Sequence, residues 1–328
     1  MTSIPLRSFG SRTDVKISAL GLGGHHLGDA KDEATAIQIV QEAIDGGITF
    51  FDNCWEYNRG KSENWMGKAL KGKRDGVFLM TKVCTHGRDA GLAMEMLEQS
   101  LRRLQTDHLD LWQIHGVSFD NDPALFIRQN GAAEALLKAR QQGKVRFLGF
   151  TGHKAPHIHL KMLDTGFPFD AVQMPLNAFD ATYQSFEQHV LPMLNKRGIA
   201  VIGMKPLTGK GEPLMKGIIT PDQALRYAMS LPVSTTITGM EKVEVLHQNL
   251  RIAQDFRPMS RQEMEDVREQ CRALAADGRF EHYKSTLQFD NPEARAAHHF
   301  PIDPEQKEVK EMLLETVNTG RPFPELKS

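Results

Sequence analysis

The chain has 328 residues, 40% apolar and 25% charged, which is enough to bury a full core, and its formal net charge of -1 offers no broad field to nucleic acid or an anionic membrane. Its first residues, MTSIPLRSFGSRT, hold no apolar run of signal-peptide length, and no stretch nears the ~18 apolar residues of a membrane span, so a cytoplasmic protein is expected. Cys54, Cys84 and Cys271 are odd in number and widely spaced, which fits reduced thiols packed as small residues rather than a disulfide framework or a zinc site.

In chain order, LRSFG and VKISA predict an N-terminal hairpin. Eight short apolar runs follow: ALGLG at 19–23, ITFFD at 48–52, VFLMT at 77–81, LDLWQI at 109–114, VRFLGF at 145–150, FDAVQM at 169–174, IAVIGM at 199–204 and TTITGM at 235–240. Helical stretches lie between them. DEATAIQIVQEAIDGG starts at an Asp32 cap, carries Ala36, Val40, Ala43 and Ile44 on one face and stops at a glycine pair. AMEMLEQSLRRLQ repeats Leu97, Leu101 and Leu104 at helical spacing, and AAEALLKARQQGK, FEQHVLPMLNKRG, PDQALRYAMSLP and KVEVLHQNLRIAQ fill later gaps. Near-continuous apolar strands alternating with helices predict a single (β/α)8 barrel over about 18–255, one domain with an extension over about 256–328. The competing doubly wound dinucleotide fold is disfavoured, because the glycines of GLGGHHLG miss the G-x-G-x-x-G spacing and no acidic ribose partner ends the next strand. In the extension a helix is expected at 261–275 and another at 304–317, with an aromatic- and histidine-rich segment at 280–300 between them that acts as a lid or a subunit contact.

The chain is organised around FFDNCWEYNRGKSE at 50–63, the end of a buried strand and the loop after it. Asp52 and Tyr57 then face one mouth of the barrel, joined by Lys82 and His115 at the ends of the next two strands, where such barrels assemble their chemistry. A lysine charge ~4 Å from a phenol, at an effective dielectric of ~20, favours phenolate by about 4 kcal/mol before desolvation opposes it. Tyr57 is therefore expected to exchange a proton near neutrality, with Asp52 holding Lys82 and His115 bonding to the oxygen that Tyr57 protonates. None of these side chains is redox-active, so a nicotinamide would supply the electrons.

The D-x4-Y spacing of Asp52 and Tyr57, Ser62–Glu63 after it, Lys82, the QIH ending in His115, and then GKVRFLGFTG, VQMPLN, PLTGKG and GMEKVEVLHQN, all in order, resemble the aldo-keto reductase family over residues 5–255. The resemblance implies an NAD(P)H-dependent enzyme that interconverts a carbonyl and an alcohol, with Asp52, Tyr57, Lys82 and His115 as catalytic tetrad and Tyr57 as general acid and base. It also implies cofactor contacts. Thr151 and Gln173 meet the carboxamide, with Gly152 where the family has asparagine and His153 as a substitute. Met204 stands where a tyrosine stacks on the nicotinamide; Pro206, Leu207, Gly209 and Gly211 approach the diphosphate, beside Lys205 and Lys210; Asn249 reads adenine. The positions that usually read a 2'-phosphate hold Gly239 and Val245, leaving Lys242, next to Glu241, as their replacement. NADP(H) is expected, with NAD(H) as the alternative.

His26, Trp55 and Phe119 are candidates for the substrate pocket. The clusters His25–His26, His153/His157/His159 and His298–His299 lack a cysteine or acidic partner, and no metal is expected. The partner implied is a small-molecule carbonyl or alcohol, not nucleic acid or membrane; a homo-oligomer is left open. Two rivals stand beside this reading: a cofactor-binding sensor subunit with little turnover, and a barrel lyase using Lys82 as a Schiff-base amine.

Overall fold

A computed structural model of the chain describes residues 3–83 and 89–286. Strands β1 (Leu6–Phe9) and β2 (Arg12–Ser18) form the expected antiparallel hairpin. Eight parallel strands then close into a barrel: β3 (Leu20–Gly23), β4 (Phe50–Asp52), β5 (Phe78–Val83), β6 (Leu109–Ile114), β7 (Val145–Thr151), β8 (Ala171–Pro175), β9 (Ala200–Met204) and β10 (Thr235–Gly239), with β10 pairing β3 to complete the ring. Each is covered on both faces, inward by barrel neighbours and outward by helices, so the apolar runs lack two-residue alternation.

The barrel's inner layers are Phe50, Phe78, Met80, Leu111, Phe147, Ile202 and Ile237, and the hairpin adds Phe9, Val15 and Ile17 to them. The Phe9 ring centroid lies 5.0 Å from Phe78 and 4.8 Å from Phe147, so the hairpin plugs one end of the barrel with aromatic contacts. Its turn depends on Gly10, at φ 58°: a Cβ there would sit 2.5 Å from the Gly198 carbonyl oxygen. With that end filled, the opposite end is left for a ligand.

The helices obey their local signals. Helix Glu33–Asp45 is capped by Asp32, whose carboxylate accepts from the Thr35 N–H at 2.8 Å, and it buries Ala36, Ile39, Val40 and Ala43. The stretch read as one helix from residue 186 is two, Phe186–His189 and Leu191–Arg197, because Pro192 lacks the N–H needed to continue through Val190. Helix Arg261–Ala275 begins at a Ser260/Glu263 capping box. Beyond it the short helix His282–Ser285 returns to the barrel, with Tyr283 and Lys284 buried. The helix expected at 304–317, His298–His299, Cys84 and most of the segment 280–300 lie outside the described residues. Among the described residues no helix is long and apolar enough to cross a membrane.

Candidate active site

Asp52 ends β4, Lys82 is the penultimate residue of β5, and His115 is the first residue past β6. Parallel pairing brings these three strand ends side by side, and Tyr57 returns to them on the loop after β4. That loop is built to turn: Asn58 and Arg59 follow at φ 49° and 56°, and Gly60 at φ 83°. A Cβ on Gly60 would lie 2.6 Å from the Arg103 guanidinium, which donates to the Trp55 carbonyl at 2.8 Å and pairs with buried Glu63 at 3.2 Å. Glu63 also accepts from Thr81 at 2.7 Å. The Ser-Glu that follows Tyr57 is thus scaffold that pins the loop. Arg103 is its unforeseen partner, reached from a helix forty residues away.

Lys82, fully buried, contacts the Asp52 carboxylate, donates to the Asn53 carbonyl at 2.8 Å and to the Tyr57 hydroxyl at 3.3 Å. An ammonium has three donors, and all three are engaged, which fixes it beneath the phenol. The Tyr57 and His115 rings meet edge to face, with centroids 5.7 Å apart. The phenol differs from the expectation of a group titrating near neutrality. Burial pushes it well above its usual value, and the negative charges of Asp52 and Glu56 act in the same direction. The ammonium that would favour phenolate is shared with Asp52, so Tyr57 holds its proton through neutral pH and is suited to giving it up only to a developing oxyanion.

A cavity of about 460 Å3 opens over this cluster, within the usual range of about 300–1,000 Å3 for small-molecule sites. Asp52 and Tyr57 form part of its wall, together with Gln173, Met204, Lys205, Pro206, Leu207, Gly209, Lys210, Gly211, Gly239 and Asn249. Among the described residues Lys82, His115, Thr151, His153, Lys242, Trp55 and Phe119 are not on that wall, Lys82 and His115 standing behind Asp52 and Tyr57. Thr151, buried at the end of β7, gives its carbonyl to the Val117 N–H at 2.9 Å. Lys242 is exposed at the start of helix Val243–Gln254. The Trp55 indole N–H donates to Gln99 at 2.8 Å, and its ring packs on Arg103, turned toward the helices. The backbone N–H of Phe119 donates to Asp122 at 2.9 Å. His26 lies on the wall and fills the space above Gly239, where a Cβ would come within 2.2 Å of its Nδ1. Gly152 has no room for a side chain, since a Cβ would lie 2.5 Å from the Val117 carbonyl oxygen.

The wall fits a long polar ligand. Thr208 Oγ1 and Asn249 Nδ2 are buried on it without a hydrogen-bond partner among the described residues, a costly state unless a ligand or water completes them. The loop after β9 holds Lys205 and Thr208 at φ 54° and 64° and Gly211 at φ 66°. Burial, with the charge of Lys82 behind it, lowers the Lys205 ammonium to about 8, a penalty that an anion in the cavity would relieve. Tyr283 closes this side, its ring 3.5 Å from where a Gly209 Cβ would be and 5.2 Å under the Lys205 ammonium.

His25 and His26 meet edge to face, their centroids 5.3 Å apart, but His153, His157 and His159 do not converge. His153 meets the Tyr283 ring edge to face, His157 pairs with Asp120 at 2.9 Å, and His159 is buried between Phe150 and Phe186. The cluster that does form, among Cys54, Glu56 and His115, was not anticipated. It joins two residues of one loop to a strand end some sixty positions later, so no local spacing announces it.

Residues 19–211 match the family model for the aldo/keto reductase family. Aldo-keto reductase YhdN of Bacillus subtilis is 32% identical over 232 residues, 66% of this chain and 64% of that protein, so the match spans slightly under two thirds of its length. L-galactose dehydrogenase of Arabidopsis thaliana is 29% identical over 76% of this chain and 88% of its own. Among solved structures, aldo-keto reductase AKR11C1 from Bacillus halodurans, in its holo form, superposes with a TM-score of 0.68 at 25% identity, over 81% of this chain and 96% of that one. The aldo/keto reductase from Klebsiella pneumoniae, solved with NADP and acetate, shares the fold at TM-score 0.62 and 22% identity, over 81% and 95%. A closed eight-stranded barrel, a ligand cavity at the carboxyl ends of its strands and a family match over more than half its residues agree on one assignment: the chain belongs to the aldo/keto reductase family.

Proposed function

We propose that this oxidoreductase uses NADP(H), with NAD(H) as the weaker alternative, to interconvert an aldehyde or ketone and its alcohol, Tyr57 being the general acid and base. The observation that carries the reading is Lys82: its ammonium sits 3.3 Å from the Tyr57 hydroxyl and is held there by Asp52 and the Asn53 carbonyl. Bound along the cavity, a reduced nicotinamide supplies the hydride for the carbonyl carbon. Gln173 and Met204 would hold its ring end, the loop Pro206, Leu207, Gly209 and Gly211 with Lys205 and Lys210 its diphosphate, and Asn249 its adenine.

The remaining work is proton control. Lys82 occupies an acceptor site on the phenol oxygen, which leaves the O–H to meet the substrate oxygen. As negative charge grows on that oxygen, the Tyr57 proton moves to it, and the nearby ammonium stabilises the phenolate left behind. Glu56 engages Nδ1 of His115 and so fixes the ring, leaving Nε2 as the atom that meets the substrate oxygen. In alcohol oxidation the same phenolate takes the proton back.

NADPH fluorescence titration and NADPH oxidation with a panel of simple aldehydes and ketones test the reading together. Binding, with consumption matched mole for mole by alcohol, is expected. Tight binding with no turnover on any carbonyl would favour a sensor subunit, and no binding of either cofactor would discard the proposal.

A further inference from the structure

Where the loop after β4 meets the end of β6, three ligand types converge: a thiol, a carboxylate and the imidazole of the proposed catalytic His115. Cys54 Sγ lies 3.3 Å from His115 Nδ1 and 3.9 Å from Glu56 Oε1, Glu56 Oε1 touches His115 Nδ1, and the three atoms lie within 4.8 Å of one another. Tetrahedral zinc binds sulfur at about 2.3 Å and nitrogen or oxygen at about 2.0–2.2 Å, which sets ligand-to-ligand edges of about 3.3–3.7 Å. Both sulfur edges are close to this. Only the carboxylate has to draw back, and Glu56, on a solvent-touched loop with its side chain 21% exposed, has the freedom to do so.

The backbone beneath the three is already fixed. The Tyr57 N–H donates to the Cys54 carbonyl at 3.1 Å, Trp55 N–H to Lys82 at 3.1 Å, and His115 N–H to Val83 at 3.1 Å. An ion would therefore meet a formed triad rather than have to order a loop. We propose that Cys54 Sγ, Glu56 Oε1 and His115 Nδ1 form a site for one zinc ion, with a fourth position open to water. Thiolate, carboxylate and neutral imidazole carry two negative charges, which balance a divalent ion, and the thiol and ring nitrogen select zinc over the oxygen-seeking calcium and magnesium. On ligation the thiol proton leaves to bulk water and no electron moves. The site shares His115 and Glu56 with the proposed proton control, taking Nδ1 and leaving Nε2 free to face the substrate oxygen, and none of its own evidence comes from turnover.

Metal-stripped full-length protein titrated with cobalt(II), a spectroscopic stand-in for zinc, tests this without substrate. One equivalent should raise a near-ultraviolet sulfur-to-cobalt charge-transfer band and the intense visible bands of tetrahedral cobalt, and one equivalent of zinc should abolish them. Cys54→Ala should lose the sulfur band, and Glu56→Gln should keep it but weaken affinity at least about tenfold. If Cys54→Ala does not fold, the Glu56→Gln shift still decides. Absence of the band in the parent protein, its persistence in Cys54→Ala, or unchanged affinity in Glu56→Gln would overturn the proposal.

Discussion

At the scale of single residues, the site is governed by what a buried ammonium does with its hydrogens. Lys82 and Asp52 are both almost wholly out of water, so neither is stable there without the other. Lys82→Met should therefore do more than stop turnover: it strands a carboxylate and should cost about 3–5 kcal/mol of stability by urea unfolding. The double variant Asp52→Asn/Lys82→Met should lose markedly less than the two single losses added, and strict additivity would argue against the pair as a unit. Asp52, Lys82 and His115 were legible in the chain because each sits at or beside the end of an apolar run, and Tyr57 because it follows Asp52 at the D-x4-Y spacing. The acidity of Tyr57 was not, since it depends on how completely the loop buries the phenol and on Asp52 claiming the charge that would otherwise act on it. Glu56, Cys54 and Arg103 were illegible for another reason: the contacts that join Cys54 and Glu56 to His115, and Arg103 to Trp55 and Glu63, span 40 or more positions and form only through the closed barrel.

At the scale of elements, strand and helix positions followed from period and caps, and the misreadings trace to particular side chains. Pro192 split one expected helix, and the helix Pro156–Asp164 was hidden by the histidines within it. The short helix His282–Ser285 is held by a buried arrangement of one cation and two anions: Lys284 reaches Asp180 at 2.6 Å and Glu281 at 2.9 Å. Burial, aided by the charge of Asp180 and only partly offset by Lys284, pushes Glu281 up to about 7. Its folded value thus exceeds its unfolded one near 4.5, so the docked helix is most stable below about 4.5 and loses that stability as pH rises through about 7. Amide exchange over residues 280–286, corrected for intrinsic rates, should quicken between pH 5 and 8 and should become nearly flat in Glu281→Gln; equal pH dependence in both proteins would refute the link. Because Tyr283 on this helix covers Gly209 and Lys205, its release would open one side of the cavity.

At the scale of the whole molecule, alternation of apolar runs with helical periods was enough to specify a closed barrel, since parallel strands covered on both faces leave few other ways to bury them. What the pattern could not specify is how the cavity is finished, as the loop after β9, His26 and the returning C-terminal helix meet only in three dimensions. Global stability carries one acid-sensitive point. His159 is buried beside Phe150 and Phe186 with neither ring nitrogen in a well-formed hydrogen bond, though the backbones of Gln173 and Ala155 lie near, and burial lowers it from 6.5 to about 3. Its folded value lies below its unfolded one, so its contribution is complete above about 6.5 and is lost as pH falls toward 3, on the order of a few kcal/mol. The urea midpoint should drop over that range and drop less in His159→Leu; parallel curves would exclude this histidine as the cause.

In the proposed carbonyl reduction everything turns on the phenol of Tyr57 delivering the proton. A single-turnover measurement on the preformed NADPH complex, mixing parent protein and Tyr57→Phe with the best aldehyde of the panel, isolates that step from binding and release. In Tyr57→Phe, NADPH affinity should stay within about twofold of the parent and the hydride-transfer rate constant should fall by at least about 100-fold. A Tyr57→Phe protein that binds NADPH normally and transfers hydride at the parent's rate would contradict it.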